Sequence, residues 1–480
     1  MRAASLAVLL LAACTHRAPL PPPASARSGV PPLPVPAQPV AEPALRLPSI
    51  HAFTLENGIS VQVVERRGTP VVYAALAGRV PHVPGTPRAV ALDALLERAL
   101  GAELPSGFGA MEEGEGLRTS VDERGLTLVS TVVTDGVPGA LSRFASVLEG
   151  RVFGDGEVRR AQQALAGDAR HRLRRRRRRG YAPPNEELLA RLYGPDDPRV
   201  LRTRIGPLAL ERLGDADVRQ RLAELLPPSR TMVVLVGDLD PLRAEALVRQ
   251  RLGPVRPRSV ARALRPAPAP VFPAPSPRLM IYPTSDHPSA SIYLLDRGPA
   301  RHHRDHAAYR LYVRMAGGMF SSRLNLHLRE QRGDTYGVIG QVHDRGDHAL
   351  FQLGLVVPVE VAGDAASAIV RELDRLRDAD RIGEEEMERA RAVELARLSS
   401  TLDTAAGLGG ALVGAHLAGQ PPGAIVDTYH RVERATPAEV AEAGRRWIRP
   451  EHAPMQIIGD YLWLSTHPVR VPGRVSFIHE

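Results

Sequence analysis

The 480-residue chain contains no lysine and only one cysteine, Cys14. Its 62 basic residues are therefore all arginine, and asparagine is also rare. This bias is typical of GC-rich coding as much as of selection for an anionic partner. Six positive charges lie in one run at residues 174–179, without which the net charge of +9 falls to about +3. So small a balance does not indicate nucleic-acid binding, and we predict no nucleic-acid partner.

Long hydrophobic runs are also absent, apart from a short one near the N-terminus. Arg2 and the apolar stretch "SLAVLLLAA" resemble a signal peptide that is too short to span a bilayer permanently. "LAAC" at residues 11–14 fits the bacterial lipobox, in which the thiol of Cys14 is acylated; the alternative is an ordinary secretory signal with a chance cysteine. Thr15 follows rather than Asp, so an inner-membrane retention signal is missing. We expect a lipid-anchored protein of the bacterial envelope that lies on the outer membrane and faces the periplasm.

Proline-rich segments divide the chain into its predicted parts. Eleven prolines at residues 18–49 indicate an extended tether rather than a folded segment. A second such stretch, "RPAPAPVFPAPSP" at 265–277, lies near the middle of the remainder. A hydrophobic content of 44% allows real cores on both sides of it. The predicted divisions are a signal peptide, a tether, an N-terminal domain, a linker and a C-terminal domain, at residues 1–14, 15–49, 50–260, 261–277 and 278–480.

The two halves of the chain resemble each other. Residues 212–238 align without gaps on 434–460, and each segment predicts a capped helix, a Pro-containing turn and an apolar strand that ends in Gly-Asp. "YAALAG" at 73–78 also matches "YLLDRG" at 293–298, and "EVRRA" at 157–161 matches "EMERA" at 386–390. Three matches in order at offsets of 220–229 residues indicate a duplicated unit. Early strands followed by longer helices predict an α+β fold: two tandem homologous domains, each a mostly antiparallel sheet with helices on one face.

The motif "MAGGMFSSRLNLHLREQRGDTYGV" at 315–338 carries the clearest resemblance. Its paired glycines, Ser-Arg-Leu, Leu-Arg-Glu and following tyrosine are similar to the C-terminal-domain signature of the insulinase/pitrilysin superfamily, which includes the mitochondrial processing peptidase. "FTLENGISVQVVE" at 53–65 and "VVLVGDLDP" at 233–241 are similar as well. The resemblance covers roughly residues 50–465 and implies the fold of that superfamily.

The metal half of the family's active site does not match. Family members carry His-x-x-Glu-His on a helix, with the histidines as zinc ligands and the glutamate as general base. In "ALDALLERALGAEL" at 91–104 these positions fall on Ala94, Glu97 and Arg98. Alanine has no donor atom, and arginine carries a fixed positive charge. The third ligand position falls near Gly167 or Asp168, of which only the aspartate could ligate.

Without the zinc ligands, the remaining Glu97 cannot support peptide hydrolysis, as the size of each catalytic effect indicates. Bound zinc lowers the pKa of water from about 15.7 to about 7. General-base assistance by one carboxylate contributes only about 10²–10⁴-fold, so Glu97 cannot replace the metal. We predict no metal, no cofactor and no catalytic residue in this chain.

The substrate half of the site is retained. The resemblance assigns Arg329 and Tyr336, with Gly317 and Gly318 nearby, to peptide binding. A guanidinium can hold carbonyl oxygens, and a phenol can donate to a developing oxyanion. The alternative is an arginine on a surface helix and a tyrosine packed on the sheet.

The chain lacks the zinc ligands but keeps the substrate-binding residues of the resemblance, and this combination is compatible with three functions. The leading hypothesis is a non-catalytic partner subunit of a zinc-bearing homologous protease, which handles peptide or unfolded protein substrates. The second is a stand-alone periplasmic peptide-binding or scaffold module. The third is an active zinc endopeptidase with a rearranged site.

The histidines at 302–306, 343 and 348 and the arginine run at 174–179 are interpreted without a catalytic or metal-binding role. His302 and His306 are spaced to share one helix face, but no third metal ligand is evident, so we expect solvated or capping roles for "RHHRDH". We interpret His343 and His348 as surface residues beside a hairpin turn. The arginine run at 174–179 either contacts anionic lipid headgroups or forms a solvated loop, and the loop is the favoured interpretation.

Overall fold

The computed structural model describes residues 45–80, 85–103, 117–154, 156–179, 184–256, 279–284, 287–467, 469, 471 and 475–477. The first half forms six strands and eight helices within these ranges. The strands are β1 (His51–Thr54), β2 (Ser60–Glu65), β3 (Val71–Arg79), β4 (Leu117–Asp122), β5 (Gly125–Val133) and β6 (Thr231–Gly237). The helices are α1 (Pro87–Glu103), α2 (Val137–Leu148), α3 (Glu157–Arg179), α4 (Pro184–Tyr193), α5 (Pro198–Thr203), α6 (Pro207–Glu211), α7 (Asp215–Leu225) and α8 (Pro241–Leu252).

The second half repeats this plan with some changes. Its strands are β7 (Leu279–Thr284), β8 (Ser289–Gly298), β9 (Val338–Asp344), β10 (Ala349–Pro358), β11 (Met455–Asp460) and β12 (Val475–Phe477). Its α-helices are α9 (His306–Val313), α10 (Ala362–Arg375), α11 (Glu384–Leu402), α12 (Ala405–Leu417), α13 (Ala424–Arg434), α14 (Pro437–Trp447) and α15 (Tyr461–Thr466). Two π-helical segments, Arg314–Gly318 and Asn325–Gln331, lie between α9 and β9.

Each half contributes one six-stranded sheet. The strand order is β1-β2-β6-β3-β5-β4 in the first and β12-β7-β11-β8-β10-β9 in the second. In both sheets the late strand, β6 or β11, inserts between two early strands, parallel to one and antiparallel to the other. The outermost position differs, because β1 is antiparallel to β2 whereas β12 is parallel to β7. The α+β prediction and the duplication are confirmed.

The aligned segments 212–238 and 434–460 form the same unit in both halves. Each gives a helix, a short connection and a central strand, namely α7 with β6 and α14 with β11. Thr436 and Glu439 form a reciprocal capping box at the start of α14. At the start of α7, the backbone N–H of Gly214 donates to Asp217, 2.9 Å away. Local capping chemistry therefore fixes where both helices begin.

One helix of each half covers the sheet of the other half. α12 packs on β3 and β6 of the first sheet, and α4 packs on β8 and β11 of the second. Leu408, Leu412 and Val413 of α12 share a core with Tyr73 and Met232. Leu188, Leu192 and Tyr193 of α4 likewise meet Tyr282 and Leu295. The sequence predicted helices on one face of each sheet. In the structure, a helix from the other half also covers part of the second face; we call α4 and α12 the exchanged helices.

Two sequence interpretations need comment at this level. The interpretation of residues 174–179 as a loop is wrong, because the backbone of α3 stays helical to residue 179. Cys14, the tether and the linker lie outside the described residues, and the predicted domain bounds stay predictions. In the described part of the chain, no helix combines the length and apolar character required to cross a bilayer.

Candidate functional site: a zinc-motif helix without ligands and an open apolar groove

The helix at the metal position is α1, which lies against α3 as the motif arrangement requires. Leu95, Leu96 and Leu100 are fully buried and fix its orientation. Ala94 and Glu97 are half-buried, whereas Arg98 is exposed. The helix of the motif is therefore present and packed, but its ligand positions carry other chemistry.

The carboxylate of Glu97 forms an ion pair with an arginine of the same chain. Arg202 of α5 donates to its carboxylate from the same half of the chain. Burial raises the pKa of Glu97 above its ordinary value, while Arg202 and a backbone hydrogen bond from Val121 oppose that rise. The carboxylate at the position that the resemblance gives to the general base is thus paired with a guanidinium.

The third ligand position offers no compensation. Gly167 has no donor side chain, and Asp168 is exposed on α3. Over the part of the chain that the structure describes, no group of three or more His, Cys, Asp or Glu side chains could hold a metal ion. Zinc does not fit these residues, because a site built on Ala94 and Arg98 lacks two of its three donors.

In the second half, the glycine pair lies in the first π-helical segment. A Cβ added at Gly317 would lie 3.2 Å from Val338, and one at Gly318 would lie 3.1 Å from the carbonyl oxygen of Gly340. The two glycines therefore let the helix approach the backbone of β9. This gives them a packing role, and their contact with substrate stays a prediction.

Asn325 orders the loop that follows, although sequence reasoning missed it. Its side-chain amide donates to the carbonyl groups of Met319 and Val338, 3.0 and 3.1 Å away. Its side-chain oxygen accepts from the N–H of Val338 at 2.8 Å. The sequence feature that could have revealed this role of Asn325 is a polar residue between two leucines of the motif.

Arg323 of the Ser-Arg-Leu motif forms a two-pronged pair with Glu386 at 2.7–2.8 Å.

Arg329 and Tyr336 are both near the surface but make different contacts. The guanidinium of Arg329 stacks over the ring of Phe320, 3.9 Å from its centroid, and pairs with Glu330 at 3.4 Å. Tyr336 is fully exposed, so its interpretation as a tyrosine packed on the sheet is wrong. Thr335 holds this loop to β10 through a 2.8 Å hydrogen bond to the carbonyl of Val356.

Tyr336 borders an open groove of about 730 Å³ over the outer face of the second sheet. We call it the Tyr336 groove. Its lining is mostly apolar, with two amide side chains, and includes Tyr293, Tyr336, Ile339, Gln341, Gln352, Leu355 and Val356. Ile339 and Val356 are 62% and 51% exposed, so the groove presents apolar surface to solvent.

The histidines do not form a metal site. His302 is exposed, whereas His306 is buried at the start of α9 with its Nδ1 atom 3.2 Å from the carbonyl of Pro299. The expectation of a solvated or capping residue is therefore wrong for His306. His303 does cap, because its Nδ1 atom accepts from the N–H of Asp305 at 3.1 Å.

His348 also departs from expectation. It is 7% exposed, lies 2.7 Å from the hydroxyl of Tyr193 and contacts Asp347, so its interpretation as a surface residue is wrong. The hairpin turn between β9 and β10 is confirmed. Its last residue contacts the exchanged helix α4, which a local turn pattern does not reveal.

Comparison with known proteins places the fold. Residues 213–394 match the family model described as the peptidase M16 inactive domain. No curated protein matches the sequence.

Several solved structures are similar. A peptidase M16 inactive domain from Pseudomonas fluorescens has a TM-score of 0.68 and 20% identity, over 89% of this chain and all of that one. A protease from Helicobacter pylori has a TM-score of 0.67 and 15% identity, over 86% of this chain and all of that one. The first half of the periplasmic protease PqqL from Escherichia coli has a TM-score of 0.65 and 16% identity, over 88% and 95% of the two chains.

Identities this low show the fold alone. The match to the family model is confined to residues 213–394, which include the glycine pair, Arg329 and Tyr336. The chain therefore shares the fold of these M16-like structures, its segment 213–394 matches the peptidase M16 inactive domain, and its positions corresponding to the zinc motif carry Ala94, Glu97 and Arg98.

Proposed function

We propose that this protein is the non-catalytic partner subunit of a zinc-bearing homologous peptidase and binds peptide or unfolded protein beside the shared active site. The observation that carries the proposal is the difference between the two halves of the candidate site. Ala94 and Arg98 cannot hold zinc, and Arg202 donates a hydrogen bond to the carboxylate of Glu97. Tyr336, by contrast, stays fully exposed beside an open apolar groove.

The chemistry of the groove suits an unfolded peptide. Apolar side chains would contact peptide side chains, while Gln341, Gln352 and the Tyr336 hydroxyl would hydrogen bond to its backbone. A carbonyl oxygen that gains negative charge during cleavage by the partner could accept a hydrogen bond from Tyr336. Any zinc would belong to the partner subunit.

The test is co-expression with a zinc-bearing homologue, followed by purification of the complex and a peptide-cleavage assay. Tyr336→Ala should lower kcat/KM by about 10²-fold, as for loss of one oxyanion donor. Its unfolding free energy should change by less than about 0.5 kcal/mol, because an exposed side chain loses few contacts. Tyr461→Phe, which alters an exposed tyrosine outside the groove, is the control. Failure to form a complex, or unchanged cleavage by Tyr336→Ala, contradicts the proposal.

The envelope anchor is a separate part of the proposal, supported by the "LAAC" sequence. Cys14→Ser should move the protein from the membrane fraction to the aqueous fraction and abolish incorporation of labelled fatty acid. If the variant stays in the membrane fraction with label attached, the lipobox assignment is wrong.

A stand-alone peptide-binding module is the second candidate, favoured by the fact that a single chain already forms the Tyr336 groove. Tight peptide binding by the isolated chain, lost in Tyr336→Ala, would support it. Near-stoichiometric zinc in the purified chain would contradict both candidates and favour a rearranged active site.

A further inference from the structure

A buried carboxylate with three arginines around it lies apart from the metal position. Glu394 of α11 has no exposed surface. Its oxygens accept from the Nε atoms of Arg310 and Arg314, 2.5 and 2.6 Å away, and from Arg397 at 2.8–3.2 Å. Burial alone would raise the pKa of Glu394, but the three guanidiniums lower it to about 2. The cluster therefore contains one negative charge and three positive ones.

These arginines border a pocket of about 300 Å³ between α9, α11 and the edge strand β9. We call it the Arg310 pocket. Its lining includes Arg310, Arg314, Arg397, His343, Gly340 and Val342. The volume is enough for a tetrahedral anion or a carboxylate with its attached carbons, together with water.

Glu394 does not use all the donors of this cluster. Each guanidinium carries five N–H donors, whereas one carboxylate offers about four acceptor sites. Arg314 directs one Nη atom to the carbonyl of Gly318 at 2.7 Å. Among residues with described positions, the Nη atoms of Arg310 have no hydrogen-bond partner. Burial and the neighbouring Arg397 lower the pKa of Arg310, although Glu394 opposes this, so uncompensated positive charge remains at the pocket.

The backbone of β9 adds further donors. The N–H and C=O groups of Val338 bond to Asn325 and so point away from β10. Because backbone groups alternate along an antiparallel strand, those of Gly340 and Val342 also point away from β10, and both residues line the pocket. Main-chain N–H groups and arginine forks are the groups that hold oxyanions in proteins.

We propose that the Arg310 pocket is an oxyanion-binding site, specific for a carboxylate or a phosphate group. The site itself does not depend on the function proposed above. Gln341 lines both this pocket and the Tyr336 groove, so the two adjoin. If peptides lie in the groove, the carboxylate of a peptide's C-terminus is one source of the oxyanion; that source, unlike the site, rests on the proposed function.

The first experiment titrates inorganic phosphate into the purified chain by calorimetry, at constant ionic strength set with chloride. Arg397→Gln should weaken binding by about 10–100-fold, because it removes one charged donor. Arg397→Lys keeps the positive charge and should recover a large part of the affinity, while urea unfolding of both variants measures separately what the ion pair with Glu394 contributes to stability.

The matched control is Arg389→Gln on the same helix. Arg389 is 41% exposed and pairs with Glu385, while Arg397 is 40% exposed and pairs with Glu394. The control should bind phosphate like the wild type. Absence of saturable binding in the wild type, or equal affinities in the two glutamine variants, overturns the proposal.

A second arm identifies the source of the oxyanion. One peptide is prepared with a free C-terminal carboxylate and again with an amidated end. Tighter binding of the free acid, with phosphate as competitor, identifies a peptide terminus as ligand. Equal binding of both forms, with phosphate binding still lost in Arg397→Gln, identifies a free anion. Because the phosphate arm uses no partner subunit, failure of the proposed function would leave its result intact.

Discussion

His306 is a titratable group that this fold keeps neutral. It is 4% exposed at the first residue of α9. Burial lowers the pKa of its imidazole from 6.5 to about 3, and the guanidiniums of Arg310 and Arg301 contribute, while Glu394 and the Pro299 carbonyl oppose them. A proton on this ring would have to enter an already positive region.

The folded state should therefore lose stability in mild acid through His306. Below pH 6.5 the unfolded chain binds a proton at this residue that the folded chain does not bind until about pH 3. Stability should fall by about 1.4 kcal/mol per pH unit across this window. Urea unfolding at pH 7 and 4.5 measures the slope. His306→Gln should remove about 2–3 kcal/mol of the stability loss over that interval, and the exposed His302 provides the control substitution, His302→Gln.

Residue chemistry could be predicted from sequence only where residue type alone decides the outcome. Ala94 and Arg98 exclude zinc in any fold. The cluster around Glu394 could not be predicted, because Arg310 and Arg314 lie more than 75 residues from Glu394 and meet it only through tertiary packing. His348 was misinterpreted for the same reason, since its partner Tyr193 belongs to the other half.

At the scale of elements, the exchange of α4 and α12 distinguishes this fold from two separate domains. α12 approaches β3 closely because it carries glycine at the contact. A Cβ added at Gly409 would lie 2.1 Å from the buried ring of Tyr73. A Cβ at the neighbouring Gly410 would meet nothing within 4 Å.

Alanine at these two adjacent positions should have opposite effects. Gly409→Ala should lower the free energy of unfolding by about 1–3 kcal/mol, because the ring of Tyr73 has to move. Gly410→Ala should raise it by about 0.5–1 kcal/mol, because alanine is the better helix former. Both changes are measured by urea unfolding. Equal effects would mean that α12 does not lie on β3 as described.

The elements were predictable to the extent that periodicity determines them. Residues 71–78 form an almost continuous apolar run, which predicts a strand buried on both faces. The run does not say which helix covers the second face, and a helix more than 300 residues away provides it. The arginine run of α3 was misinterpreted because like charges favour a loop, whereas the preceding turns of α3 continue the helix through it.

At the scale of the whole molecule, the two halves interlock. Besides the exchanged helices, the turns of the two outer hairpins meet, with Arg345 3.5 Å from Glu123. Arg199 of α5, whose guanidinium stacks over the ring of Tyr193 in α4, also pairs with Asp347 at 3.2 Å. Because each sheet is completed by a helix of the other half, the halves should behave as an obligate pair rather than as domains joined only by a linker.

Cutting the chain should not separate its halves. In this experiment a protease site is introduced into the proline-rich segment 265–277, and the protein is cleaved there under native conditions. The fragments should co-elute on gel filtration at micromolar concentration and separate only in denaturant, because separation would expose the apolar faces that α4 and α12 cover. Leu412→Glu, at a position 1% exposed, should make the cleaved halves dissociate, since it places a charge in the shared core. Ala406→Glu, on the exposed side of the same helix, should leave them associated. Cleaved wild-type halves that separate under native conditions would show that the exchanged helices do not hold the molecule together.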